Sequence, residues 1–389
     1  MLRGVRHPGA TVVMGIAFGI LSCERALSAP EHAGDALLSA DGATPTVRFV
    51  GRFDMSDPQG PRFAWAGTSI SARFSGTAID VRLHDEGSNV FQVIVDGVPT
   101  AALATGPARD DYTLATGLRD GVHEVILYKR TEPRHGEVRF LGFVQKSAAD
   151  GSLSAPGQRP VQGIPAPALP AASSSPAPIG SRRIEFVGDS ITVGYGNEGV
   201  GPICPGPRTE NEFLSFAALT ARAFGAEHFS LAWSGRTVED MASLYERTLP
   251  ARPDSRWDFS SWTPDVVVIN LGTNDFTRGD PGQSTFTRPY TALIQRVRTR
   301  YPAARIVCAL GPMMTDTYPP GAHALTRARG YITSVVESLR ARGDAKVSFV
   351  EFPAQDPNDG LGCDFHPSLK THRRMADELV TALRAQMGW

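Results

Sequence analysis

Between Val47 and Val144 apolar and polar residues alternate with period two in short bursts, at 47–50, 70–74, 78–83, 89–95 and 122–128. Turn residues close each burst, and Asp96-Gly97 and Asp120-Gly121 mark tight turns. No stretch of helical period interrupts the series, so residues 45–147 are predicted to form a β-sandwich. Residues 148–181 are dominated by Ala, Pro, Ser and Gly, a composition that cannot bury a core and reads as a linker. From Arg183 onward the pattern changes. Apolar runs at 184–187, 227–232, 265–270, 305–310 and 347–352 have the continuous character of strands buried on both faces. They alternate with helical spacing at 211–224, 238–248, 286–301 and 325–342, and 369–387 closes the chain as a last helix. That order predicts a three-layer α/β/α domain over 182–389, with a parallel sheet, right-handed crossovers and a site at the strand carboxyl ends.

Composition narrows the partners. The 39 Lys and Arg are scattered among 40 Asp and Glu with no basic block, which argues against nucleic acid. No segment after the first thirty or so residues is long and apolar enough for a membrane span. The start of the chain runs from Arg3, Arg6 and His7 into an apolar stretch at 11–21 and then small residues, the pattern of a secretory signal peptide over 1–28. A competing, imperfect lipoprotein-type site ends at Cys23, so secretion is expected, with a lipid anchor as the alternative. Of the other cysteines, Cys308 lies inside an apolar strand and reads as an inert buried thiol. Cys204 and Cys363 sit in Gly/Pro-rich loops beyond motif residues. They are either a disulfide clamping the rim of the site or two free thiols. Neither lies in a pattern that would hold a metal, and no glycine loop follows a phosphate-cradling spacing, so neither metal nor cofactor is expected.

The candidate chemistry follows the strands. Gly188-Asp189-Ser190 comes directly after the first parallel strand, Ser234-Gly235 after the second, and Gly272 to Asp275 after the third; Asp364-Phe365-His366 precedes the last helix. Singly, each has an ordinary explanation as a cap or turn. Together, four loops at one sheet edge can supply a nucleophile, a base and oxyanion donors, the requirements of acyl transfer. In order and spacing these blocks resemble the SGNH, or GDSL-type, hydrolase superfamily over residues 183–389. The strings 183–196, 232–236 and 363–368, behind an amino-terminal sandwich, look like carbohydrate esterase family 2, whose members are acetyl esterases of plant-wall polysaccharides such as xylan and mannans. That resemblance implies a jelly-roll-like all-β sandwich before a flavodoxin-like α/β/α domain, and an acetylated polysaccharide or oligosaccharide as substrate.

Carried over by residue, the resemblance makes Ser190 the nucleophile and His366 the general base, with the N–H groups of Ser190 and Gly235 and the Asn274 amide forming the oxyanion hole. The sequence departs from the superfamily where Cys363 stands at the usual triad position, three before the histidine. Asp364, two before it, is expected to orient the imidazole through Nδ1; the alternative is a backbone carbonyl and a Ser-His dyad. Asp189 is expected to hydrogen-bond neighbouring loops and Asp275 to position Asn274. Among Trp233, Trp262 and Tyr195, Trp233 is the expected sugar platform, while His323 and His372 read as surface residues. Two other functions use the same domains: a lipase or thioesterase, disfavoured by the Gly-, Pro- and Asp-rich inserts 199–208 and 276–283, and a non-catalytic glycan-binding module, disfavoured by the intact motif residues.

Overall fold

A computed structural model describes residues 47–146 and 182–389; the leader with Cys23 and the whole 148–181 tract lie outside the described residues. The first part is the sandwich. Its strands are β1 (Val47–Val50), β2 (Arg62–Phe63), β3 (Ser69–Ser75), β4 (Ala78–Asp85), β5 (Val90–Val95), β6 (Val98–Ala104), β7 (Asp111–Ala115), β8 (Val122–Lys129) and β9 (Val138–Lys146). They form antiparallel sheets ordered β1-β3-β8-β5-β6 and β2-β9-β4-β7, so that, apart from the β5-β6 hairpin, successive strands alternate between sheets in jelly-roll fashion. Ile70, Ala72 and Phe74 of β3 face Ile79, Val81 and Leu83 of β4 in one apolar core, as period-two patterning requires. The alternation at 98–104 is muted because β6 is an edge strand that exposes most of its small side chains. In β9 the pattern is broken at Gly142, where the register with β4 shifts.

The second part has β10 (Arg183–Gly188), β11 (Glu227–Ala232), β12 (Val266–Asn270), β13 (Arg305–Leu310) and β14 (Val347–Glu351), all parallel in the order β11-β10-β12-β13-β14. Alternate residues of these strands feed two cores. Val187, Leu231, Ile269 and Cys308 enter one, with α3 (Val238–Leu244), α4 (Gln283–Arg300) and α5 (Ala324–Ala341). Phe186, Val268, Val307 and Ala309 enter the other, with α2 (Phe216–Ala223) and α6 (Leu369–Met387), while α1 (Ser190–Val193) is a single turn at the end of β10. On α4 the buried positions Phe286, Tyr290, Leu293, Ile294 and Val297 trace one helical stripe. The first predicted helix is shorter than its pattern, because a 3-10 turn at Glu212–Leu214 ends where Ser215 caps α2. Among the described residues no helix is long and apolar enough to cross a membrane.

Sandwich and α/β domain belong to one compact unit, joined by apolar contacts such as Trp65 in the main α/β core and by a buried ionic contact. Arg52, next to β1, inserts fully buried into the α/β domain, 3.2 Å from Glu185 of β10, and donates to the carbonyl of Arg247 at 3.1 Å. Tyr245 donates to the other Glu185 oxygen at 2.7 Å, and the rings of Tyr245, Trp257 and Phe259 lie 5.2 to 5.4 Å from the guanidinium carbon. Even so, burial holds the Glu185 carboxyl above its ordinary pKa. Removing one partner of such a pair strands the other charge in the interior. Arg52→Ala is therefore expected to cost about 3–5 kcal/mol in denaturant unfolding. A loss below about 1 kcal/mol, the range of an exposed pair, would contradict this account of the seam.

Candidate active site

Ser190 owes its position to the abrupt end of β10. Gly188 has room for no side chain, since a Cβ there would lie 2.0 Å from Thr192 Oγ1. Asp189 then caps α1 by accepting the Ile191 N–H at 3.0 Å, leaving Ser190 as the first residue of a short helix. Ser190 Oγ lies 2.8 Å from His366 Nε2, although the two residues are 176 positions apart. Both are nearly buried, at 8% and 9% exposure.

The other imidazole nitrogen corrects the expectation for Asp364. His366 Nδ1 lies 2.8 Å from the main-chain carbonyl oxygen of Asp364, and the exposed Asp364 carboxylate makes no hydrogen bond to the ring. The physical reason is local backbone geometry: Asp364 (φ 53°, ψ 37°) and Phe365 (φ 60°) are both left-handed, which curls the carbonyl back onto the ring two residues later. A carbonyl only accepts, so Nδ1 carries the proton and Nε2 is free to accept from the serine hydroxyl.

This turn is braced onto the serine loop. Cys363 and Cys204 form a disulfide, with Cα atoms 5.1 Å apart. The N–H of Cys363 donates to Gly196 O at 3.0 Å and that of Asp364 to Gly201 O at 2.9 Å. Gly196 is required here, because φ is 68° and a Cβ would come within 2.8 Å of Cys204 Sγ. Burial lowers the His366 pKa, partly opposed by the Asp364 carbonyl bond and the charge of the Asp364 carboxylate.

Two further loops face the pair. Ser234-Gly235 follows β11, with Gly235 at φ 77° and its N–H without an acceptor among the described residues. Asn274 opens a 3-10 turn after β12, and its amide donates to Arg236 O at 3.1 Å and to Asp189 Oδ2 at 3.3 Å. Asp189 therefore ties the serine loop to the asparagine loop; burial pushes its carboxyl up to about 7. Asp275 differs from its expected role. Its carboxylate accepts the Val238 N–H at 3.2 Å, holding the asparagine loop to the start of α3, and makes no hydrogen bond to Asn274. Burial pushes its pKa up to about 6.

The aromatics and histidines also sort differently. Trp233 is half-buried against the main core, with the Arg236 guanidinium 4.4 Å from its ring centroid. Trp262 stacks on Phe229 in the interior. Tyr195 meets the His366 ring edge-on, with centroids 4.7 Å apart, while the unremarked Phe365 is 60% exposed beside His366. His323 is exposed, but His372 is fully buried: its Nδ1 accepts the Phe216 N–H at 3.1 Å, and burial lowers its pKa to about 3. It joins α2 to α6 as a neutral acceptor. Burial pushes the free Cys308 thiol up to about 12.

Sequence reasoning missed the sandwich's contribution to this site. Glu132 accepts the Ser234 N–H, and Arg134 stands with its guanidinium carbon 5.1 Å from the Tyr195 ring centroid. A residue on a different domain, far upstream of the serine, leaves no local signal of such proximity. Glu132, His135 and Glu210 place metal-ligand atoms within 4.8 Å of one another. Protein donors already use the carboxylates, from Ser234 and Arg134 to Glu132 and from the Glu132 N–H to Glu210, and Lys129 adds positive charge nearby. Burial, for Glu132 reinforced by Glu210, pushes both carboxyls up to about 7.

A serine on the turn after the first parallel strand, paired with a histidine before the last helix, defines a GDSL-type acylhydrolase domain, and residues 186–374 match the GDSL-like Lipase/Acylhydrolase family. Residues 49–156 match the amino-terminal domain of carbohydrate esterase 2. A family two carbohydrate esterase from Clostridium thermocellum, solved in complex with cellohexaose, is 39% identical; the alignment covers 88% of this chain and 100% of that one, with a TM-score of 0.76. The chain belongs to carbohydrate esterase family 2. The cellulase/esterase CelE of Acetivibrio thermocellus is 40% identical over 359 residues, 90% of this chain but only 40% of CelE's length. An acetylxylan esterase / glucomannan deacetylase of Cellvibrio japonicus is 26% identical over 380 residues, 90% of this chain and 94% of that protein.

Because desolvation favours the neutral imidazole, His366 is expected to titrate below pH 6.5 when its Cε1 resonance is followed by NMR, keeping the base competent in mildly acidic solution. A midpoint at or above 6.5 would mean that the Asp364 carboxylate outweighs burial.

Proposed function

We propose that the protein is an exported serine esterase that removes O-acetyl groups from plant-wall polysaccharides or their oligosaccharides. The observation that carries the reading is the 2.8 Å pairing of Ser190 Oγ with His366 Nε2, whose Nδ1 is itself held at 2.8 Å. Ser190 Oγ attacks the acetyl carbonyl while its proton passes to Nε2. The resulting oxyanion is received by the N–H groups of Ser190 and Gly235 and by Asn274, which can exchange its longer, 3.3 Å bond to Asp189 for the reacting oxygen. The imidazolium then protonates the departing sugar oxygen, leaving an acetyl ester on Ser190. Water, deprotonated by His366, releases acetate and restores the serine.

Acetyl offers little surface to grip, so most of the rate must come from preorganised groups at the reacting centre. Phe365 supplies an exposed ring beside it on which a sugar can stack. The names of the CelE and Cellvibrio japonicus relatives support esterase chemistry on acetylated xylan and glucomannan. Export is supported by the leader pattern over residues 1–28.

The direct test is acetate release from acetylated xylan and acetylated glucomannan, with Ser190→Ala in parallel. Release by the wild type, reduced at least about a thousandfold in the variant, is the expected result. Failure on both polymers with hydrolysis of a short-chain aryl acetate would sink the polysaccharide assignment, and faster hydrolysis of a long-chain aryl ester would favour a lipase instead.

A further inference from the structure

We propose that Glu132 is a positioning residue for the reaction: from the sandwich side it fixes the Ser234–Gly235 turn, so that the α/β domain's oxyanion hole is incomplete without the sandwich. Glu132 follows β8 at the start of the short 3-10 turn Pro133–His135 and has no exposed surface. Its Oε2 accepts the N–H of Ser234, and its Oε1 accepts from Nε of Arg134. Its own N–H is held by Glu210 Oε1, and Lys129 Nζ donates to the carbonyls of Thr131 and, at 3.4 Å, Glu132. The main chain of Glu132 is thus held on both sides, by Glu210 of the α/β domain and by Lys129 of the sandwich. Arg134 continues the same loop onto Tyr195, whose ring abuts His366. One segment of the sandwich therefore bears on both halves of the reacting centre, on the oxyanion turn directly and on the base through Tyr195.

Packing alone does not account for this choice of residue. A side chain placed here for packing alone would be apolar, because a second carboxylate buried beside Glu210 is electrostatically unfavourable. Gly235 makes an acceptor at a fixed position useful. At φ 77°, with no atom within 4 Å of where a Cβ would stand, it gives the turn no steric support of its own. An N–H aimed at a developing oxyanion works only if it is already in place when the charge forms. Holding the N–H of the preceding residue with a buried side-chain oxygen of fixed reach is the direct way to fix it, and Glu132 supplies that oxygen.

The inference rests on the oxyanion role proposed for Gly235, and two substitutions in the full chain separate it from a general structural role. Glu132→Asp keeps the charge but withdraws the acceptor by one methylene; Glu132→Gln keeps the length and one acceptor oxygen while losing the charge. On a short-chain aryl acetate, Glu132→Asp is expected to lose about 10- to 100-fold in kcat with KM within about threefold, approaching the loss of an oxyanion donor. Its Ser234 amide should exchange with solvent at least about tenfold faster. Glu132→Gln is expected to stay within about fivefold of wild type in kcat and to keep Ser234 protected, since its amide oxygen still reaches the donor. Wild-type kcat and exchange in the Asp variant would overturn the proposal, as would a Gln variant impaired as much as the Asp variant. Exchange is read without turnover, so the two readings fail separately. Loss of Ser234 protection in a protein whose wild type cleaves no ester would support the bracing and sink the esterase reading; unchanged protection beside an active wild type would do the reverse.

Discussion

The reacting centre depends on the hydrogen bond between His366 Nδ1 and the main-chain carbonyl of Asp364. It fixes the tautomer, aims Nε2 at Ser190 and requires two consecutive non-glycine residues in the left-handed region. Such residues cost on the order of 1–3 kcal/mol each and persist only where the surroundings impose them. Here the disulfide to Cys204, the bonds from Cys363 and Asp364 to Gly196 and Gly201, and the Gln355 side chain on the Phe365 carbonyl at 2.9 Å impose them. The same contacts bind the histidine turn to the loop following the serine, so base and nucleophile are held in one piece. With the carboxylate left at the surface, its help to the imidazolium is Coulombic and screened by water rather than a direct bond.

The sandwich is joined to the α/β domain by buried polar contacts as well as by apolar packing around Trp65 and Ala66. At one place Arg52 enters a cage of aromatic rings to meet Glu185 on β10; at another, Glu132 and Arg134 reach the rim of the site. Buried ionic contacts of this kind contribute less net stability than apolar packing of equal size, but they tolerate few alternative arrangements. They suit a seam whose task is to place one loop accurately. Mutual burial explains why so many carboxyls in this region, Glu132, Asp189 and Glu210 among them, have raised pKa values.

Most of the α/β domain was legible because its strands are continuous apolar runs and its motifs fall directly behind them. The sandwich was legible as a class but not strand by strand. The edge strand β6 is built of small exposed residues, and β9 bends at Gly142, so neither keeps a clean period of two. At the site, the residue types and order of Ser190, Gly235, Asn274 and His366 could be read along the chain. What could not be read was which atom of Asp364 faces the imidazole, because that follows from the sign of φ at two residues with ordinary side chains. His372 misled for a related reason: a histidine on a helix has no periodic signature telling core from surface. Glu132 was illegible because only the docking of two domains brings it to Ser234.

The central claim, a serine–histidine pair oriented by a main-chain carbonyl, is tested most directly by the kcat of Asp364→Asn. Asparagine tolerates the left-handed conformation and leaves the carbonyl in place, so only the carboxylate charge is removed. The account predicts kcat within about threefold of wild type, whereas a triad aspartate would cost about ten-thousandfold. A fall of about a hundredfold or more would contradict the account and return the carboxylate to the catalytic machinery.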